Sequence, residues 1–144
     1  MLKELIEKGR YSFHEGFDSW EDAVKAACAP LEKEKAIEKE YSDLIIESIK
    51  KYGPYIVIAP DIAIPHAQEG KGVNETSICF MKSEKPVNFG EDADYEARLF
   101  FVLASVDNNI HLQNLSNMVE LISDEEIVEK LLKAKSVEDL KELI

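Results

Sequence analysis

The sequence predicts an α/β fold: a single three-layer domain over residues 1–144, with a small mixed β-sheet flanked by helices on both faces. Three observations carry this expectation. Amphipathic stretches at 19–29 and 36–52 come first, and short β-branched runs at 55–59, 62–66 and 76–81 follow. The run Leu99-Phe100-Phe101-Val102-Leu103-Ala104-Ser105-Val106 is apolar on both faces, as expected of a central strand covered by helices on either side. Helical patterning then resumes after Asp107. The strands are joined by long crossovers and by short turns, which predicts a mixed sheet rather than an all-parallel one.

Each element has its own signals. Asp18 or Ser19 can cap the first helix, whose inner face is Trp20, Val24, Ala27 and Cys28. Pro30 ends it, because the residue before a proline leaves helical geometry. In the second helix Ile37, Tyr41, Leu44, Ile45, Ser48, Ile49 and Tyr52 form one stripe, and Gly53-Pro54 stops it. Tyr55-Ile56-Val57-Ile58-Ala59 and Ile62-Ala63-Ile64-Pro65-His66 are short extended pieces separated by the turn Pro60-Asp61, and Thr76–Met81 is a third strand. Asn108 can cap a helix with His111, Leu115, Met118, Val119 and Ile122 on one side. Ser123-Asp124-Glu125-Glu126 is a capping box, and Ser136 with Asp139 opens a last helix.

Composition excludes several functions. Seventeen basic residues against 29 acidic ones leave a net charge of −12 with two arginines, Arg10 and Arg98, so neither a nucleic-acid partner nor an anionic membrane surface is expected. No apolar run approaches the roughly 18 residues of a membrane span, and the charged start Met1–Lys8 lacks the apolar centre of a signal peptide. Membrane insertion is therefore not expected. Cys28 and Cys79 lie in apolar surroundings without zinc-type spacing, which predicts two buried reduced thiols and a cytoplasmic setting.

Three histidines carry what chemistry the sequence offers. His66 follows a proline where an apolar strand opens onto the polar loop Gln68-Glu69-Gly70-Lys71-Gly72, a place for function or for an ordinary half-exposed turn histidine. His111 falls in the first turn of the helix after the most apolar strand. There it either packs on the inner face or presents a neutral imidazole to an anion attracted by the helix N-terminus. Asp61 and Asp107 stand at strand ends, as turn formers or as carboxylates that orient an imidazole. His14 has no chemical neighbourhood and reads as a surface or turn residue. His66, His111 and an aspartate are a candidate metal set only if the fold converges them, because H-x-x-x-H and CxxC spacings are absent. No glycine-rich phosphate loop and no GxSxG elbow occur. The acidic run Glu91-Asp92-Ala93-Asp94-Tyr95-Glu96 reads as a solvated loop.

The stretch Gly53-Pro54-Tyr55-Ile56-Val57-Ile58-Ala59-Pro60-Asp61-Ile62-Ala63-Ile64-Pro65-His66-Ala67 resembles the active-histidine signature of enzyme IIA proteins of the mannitol/fructose type, from the bacterial phosphoenolpyruvate-dependent sugar phosphotransferase system. Leu99–Ala104, Asp107 and His111-Leu112-Gln113-Asn114-Leu115 resemble the second motif of that family, and Ser19-Trp20-Glu21-Asp22-Ala23-Val24 is most similar to its ascorbate-type branch. The likeness covers residues 16 to 144. It implies a mixed sheet between helices and a phosphocarrier without metal or other cofactor. The histidine at the position of His66 would accept a phosphoryl group from the histidine-containing phosphocarrier protein. It would then pass the group to a cysteine of the cognate IIB protein, which serves a IIC membrane permease. The histidine at the position of His111 would contact the phosphoryl group. Two other functions share the residues: a nitrogen-related or regulator-attached IIA module that passes nothing to a sugar, and a metal-dependent enzyme built on the two histidines. The sequence departs from the family where many ascorbate-type members carry an arginine, having Gln68-Glu69 after Ala67. It also lacks the upstream arginine of mannitol-type members. Anion stabilisation is then expected from neutral donors or a lysine.

Overall fold

The computed structural model describes residues 1–67, 71–90 and 93–144. Helix α1 (Leu2–Glu7) and strand β1 (Tyr11–His14) precede α2 (Trp20–Lys33) and α3 (Lys39–Tyr52). The strands β2 (Val57–Ala59), β3 (Asp61–Ala63), β4 (Ser77–Asn88) and β5 (Glu96–Ala104) follow, and α4 (Asn108–Ile122), α5 (Glu125–Lys133) and α6 (Val137–Lys141) complete the order. The strands form one five-stranded sheet in the order β1-β4-β5-β3-β2. The β1/β4 and β3/β5 pairs are parallel, and the β4/β5 and β2/β3 pairs are antiparallel, so the sheet is mixed as expected.

Both faces of the sheet are covered. One core joins it to α2 and α3 through Val24, Cys28, Leu31, Tyr41 and Ile45; the other joins it to α1, α4, α5 and α6 through Leu5, Met118, Leu131 and Leu140. β5 feeds both, with Phe100, Val102 and Ala104 on the first side and Leu99, Phe101 and Leu103 on the second. That alternation between two apolar layers is why the run carries no polar face. Cys28 and Cys79 are fully buried free thiols, and burial pushes the Cys79 thiol up to about 12, which keeps it protonated and unreactive.

Several boundaries differ from the sequence reading. Pro30 does not end α2; it lies inside, and the helix continues to Lys33. An interior proline costs about 3 kcal/mol. The next residue, Leu31, is wholly buried, which returns about 1.5–3 kcal/mol and holds the last turn on the sheet. Strand β1 has the alternation Tyr11-Ser12-Phe13-His14, and its four residues are too short a signal against the neighbouring glycines. His14 consequently sits half-buried on a strand, its ring 5.1 Å from that of Phe17, and not on a turn. β4 runs on past Met81 through a charged stretch, because Lys82, wholly buried, donates from Nζ to Glu84 (2.9 Å) and to the Ala134 carbonyl (2.6 Å). Of the acidic run, Glu91 and Asp92 lie outside the described residues, and Ala93–Tyr95 form a 3-10 turn.

The parallel strands β3 and β5 end at the same edge of the sheet, where the Leu103 N–H donates to the Pro65 carbonyl at 3.1 Å. The chain leaving those two ends carries His66 in a loop and His111 in the first turn of α4. A crevice beyond the carboxyl ends of adjacent parallel strands is where α/β sheets hold their ligands.

Candidate active site

The structure brings His66 and His111 together. Their ring centroids are 5.4 Å apart, with the planes inclined at 42°. His66 is half-buried and His111 is 8% exposed. The sequence puts them there by two routes. β3 is too short to carry the chain further, and Pro65 cannot donate to the ladder, so His66 emerges just past the sheet. β5 ends at Ala104, Asp107 caps α4 by accepting from the Ile110 N–H at 2.8 Å, and the first turn of that helix turns His111 inward.

The tautomer of His66 follows from its partner. Nδ1 lies 2.6 Å from the carbonyl oxygen of Ile64. A carbonyl can only accept, so Nδ1 bears the proton and Nε2 keeps its lone pair. Burial lowers the pKa of this imidazole below the ordinary value of 6.5; the Ile64 bond opposes that shift and the neighbouring His111 adds to it. His66 therefore presents a neutral, nucleophilic Nε2 at physiological pH. On His111, Nδ1 lies 3.3 Å from the Ser105 hydroxyl, leaving Nε2 as the second polar atom of the pair.

Asp61 and Asp107 hold different places. Asp61 opens β3 with φ +67, a left-handed turn conformation that Asp tolerates, and pairs with Ala97 at the start of β5. That is the opposite end of the strand from His66, about 15 Å along an extended chain. It lines a groove with Val57, Pro60, Asp94 and Glu96. Asp107 stands beside the pair in sequence, and its described hydrogen bond is the helix cap. The atoms bonded to the two imidazoles are instead the Ile64 carbonyl and the Ser105 hydroxyl. Neither was marked by the sequence, since a backbone carbonyl leaves no sequence signal and Ser105 reads as the end of an apolar strand.

Both arginines are committed elsewhere. The Arg10 guanidinium meets Glu34 at 2.6 Å, and Arg98 meets Glu84 at 3.8 Å. On the Ala67 side, Lys51 and Lys71 line a groove with Ser48. Gln68 and Glu69, which replace the arginine expected by resemblance, lie outside the described residues. Exposed apolar side chains adjoin the pair in sequence: Val106, Ile110 and Leu112, the last 55% exposed. Among the described residues, no group of three or more His, Cys, Asp and Glu side chains converges to hold a metal ion. No helix there is long and apolar enough to cross a membrane.

Two imidazoles side by side at a strand-end crevice, one of them with an unprotonated Nε2, are the equipment of a group-transfer protein. The sequence of the family described as "Phosphoenolpyruvate-dependent sugar phosphotransferase system, EIIA 2" matches over residues 4–144. The chain belongs to this family, whose members are phosphotransfer proteins. Within it, the chain is 30% identical over 128 residues to the ascorbate-specific PTS system EIIA component of Escherichia coli (strain K12), covering 88% of this chain and 83% of that protein. The fold matches the mannitol-specific cryptic phosphotransferase enzyme IIA of Escherichia coli with a TM-score of 0.87 and 28% identity, over 98% of this chain and 95% of that one. It also matches enzyme IIA in the Escherichia coli complex of mannitol enzyme IIA with phosphorylated enzyme IIB, with a TM-score of 0.79 and 26% identity, over 93% and 92% of the two chains.

Proposed function

We propose that this protein is a phosphocarrier in which His66 accepts a phosphoryl group from the histidine-containing phosphocarrier protein and passes it to a cysteine of a cognate IIB protein. The observation that carries the reading is the Nδ1 bond of His66 to Ile64, with the His111 ring 5.4 Å away. In the first transfer the Nε2 lone pair attacks phosphorus in line. The P–Nε2 bond forms as the phosphorus–nitrogen bond to the carrier's imidazole breaks, and that bond's electron pair stays on the carrier. In the second, a cysteine thiolate of the IIB protein attacks, the P–Nε2 bond breaks, and the pair returns to His66. The chain's work is positioning and charge stabilisation. His111 donates toward a phosphoryl oxygen as charge develops there, with Ser105 holding its ring. Asp107 contributes by setting the helix that carries His111.

The exposed Val106, Ile110 and Leu112 offer apolar surface for docking, and a net charge of −12 suits a partner with a basic rim. The likeness to the ascorbate-specific relative favours a transport role, with ascorbate as the sugar served through a IIC permease, over a purely regulatory one. Such a carrier works in the cytoplasm, where its phosphoryl donor is made.

The test is incubation with phosphoenolpyruvate and the two general phosphotransferase proteins. The wild type gains one acid-labile phosphoryl group, His66→Ala gains none, and His111→Ala gains it about 100-fold more slowly, the usual loss for one transition-state donor. Normal labelling of His66→Ala would refute the assignment.

A further inference from the structure

The peptide that follows His66 is held at both poles by tyrosine hydroxyls. The Tyr55 hydroxyl donates to the His66 carbonyl at 2.5 Å, and the Ala67 N–H donates to the Tyr41 hydroxyl at 3.1 Å. Tyr41 is wholly buried and donates onward to the Leu103 carbonyl, so the loop after β3 is tied to the end of β5 through a side chain as well as through the Leu103–Pro65 backbone bond. Tyr55 comes from the segment before β2 and stands edge-on to the imidazole, with ring centroids 5.2 Å apart and planes at 88°. Tyr41 itself lies on α3. The clamp therefore draws on α3, on the approach to β2 and on β5.

We infer that Tyr55 and Tyr41 are positioning residues for phosphoryl transfer at His66, fixing the 66–67 peptide so that Nε2 is held at a constant place beside His111. The inference rests on the reading of His66 as the phosphoryl acceptor. Three features argue for positioning rather than mere packing. The clamp grips one of the two peptide units that flank the His66 α-carbon and so place the imidazole. Its two hydroxyls approach from opposite poles of that unit, which blocks rotation in either sense. It also acts where Arg10 and Arg98 do not, because both are engaged with glutamates elsewhere. In-line transfer is sensitive to displacements of about 1 Å, so a small rotation costs rate without costing the fold.

Tyr55→Phe removes the hydroxyl and keeps the ring, which is 38% exposed beside His66. With the phosphorylated histidine phosphocarrier protein as donor, the maximal rate of transfer falls about tenfold, the factor supplied by one hydrogen bond of ordinary strength. The half-saturating donor concentration stays where it is in the wild type. Tyr41→Phe lowers the maximal rate in the same way, and its melting temperature is measured alongside to separate lost rate from lost fold. A purely structural role would shift melting and leave the maximal rate alone. If Tyr55→Phe transfers within twofold of wild type while His66→Ala is not labelled, the clamp is wrong and the acceptor assignment stands. If His66→Ala is labelled as fast as wild type, both fall.

Discussion

At the residue scale, the chemistry reduces to the state of one ring. As the proposed phosphoryl acceptor His66 would have to be neutral to attack, and burial favours that state, with the proton on Nδ1 against Ile64. A histidine whose folded pKa lies below its unfolded value of 6.5 resists protonation in the folded protein, while the unfolded chain takes the proton first. Its contribution to stability is thus full above pH 6.5 and is lost as the pH falls through the folded pKa. NMR titration of the ring protons tests this directly. His66 should titrate below 6.5, and phosphoryl acceptance should persist into mildly acidic buffer where an ordinary histidine would already be half charged. A midpoint at or above 6.5 contradicts this account of the ring. The tyrosines at the site illustrate what the sequence conceals: Tyr41 reads as one more apolar position of a helical stripe. A buried phenol needs a hydrogen-bond partner, and that requirement was the available signal.

At the scale of elements, α4 is the part whose geometry matters most, since it delivers His111. Its cap separates two roles for Asp107. If the carboxylate works as a helix cap, Asp107→Asn caps equally well and leaves both stability and transfer rate near wild type, whereas Asp107→Ala loses about 1 kcal/mol in denaturant unfolding. If the negative charge orients an imidazole, the asparagine variant loses rate as well. Signals at element ends were largely legible. Ser19 accepts from the Asp22 N–H as expected and Gly53 takes the positive φ of 86 that stops α3, whereas the caps of α4 and α5 fall on Asp107 and Asp124, one residue away from the expected Asn108 and Ser123. The failures have physical causes. Pro30 was overridden by the burial of Leu31, and the second half of β4 was hidden because Lys82 looks solvent-exposed until Glu84 and a helix-end carbonyl are known to meet it. Long-range partners of that kind leave no local pattern. Strand order is hidden for the same reason, as it depends on pairings such as β1 with β4 between distant segments.

At the scale of the whole molecule, the sheet converts two distant motifs into one site. His66 and His111 are 45 positions apart, and the parallel pairing of β3 with β5 delivers both to one edge. The two cores fix that edge from either face, so the site stands on the most deeply buried strands while its exposed rim is left for partners. The pairing of Ile-Pro-His with a later Asp-x-x-x-His was legible because it is residue identity at fixed spacing. The atoms that orient the rings were not, because they come from backbone and from the fold. The measurement that tests the central claim most directly is nitrogen–phosphorus correlation NMR on the phosphorylated, ¹⁵N-labelled protein. The account predicts phosphorus bonded to Nε2 of His66 with Nδ1 still protonated; phosphorus on Nδ1 of His66, on His111 or on His14 would contradict it.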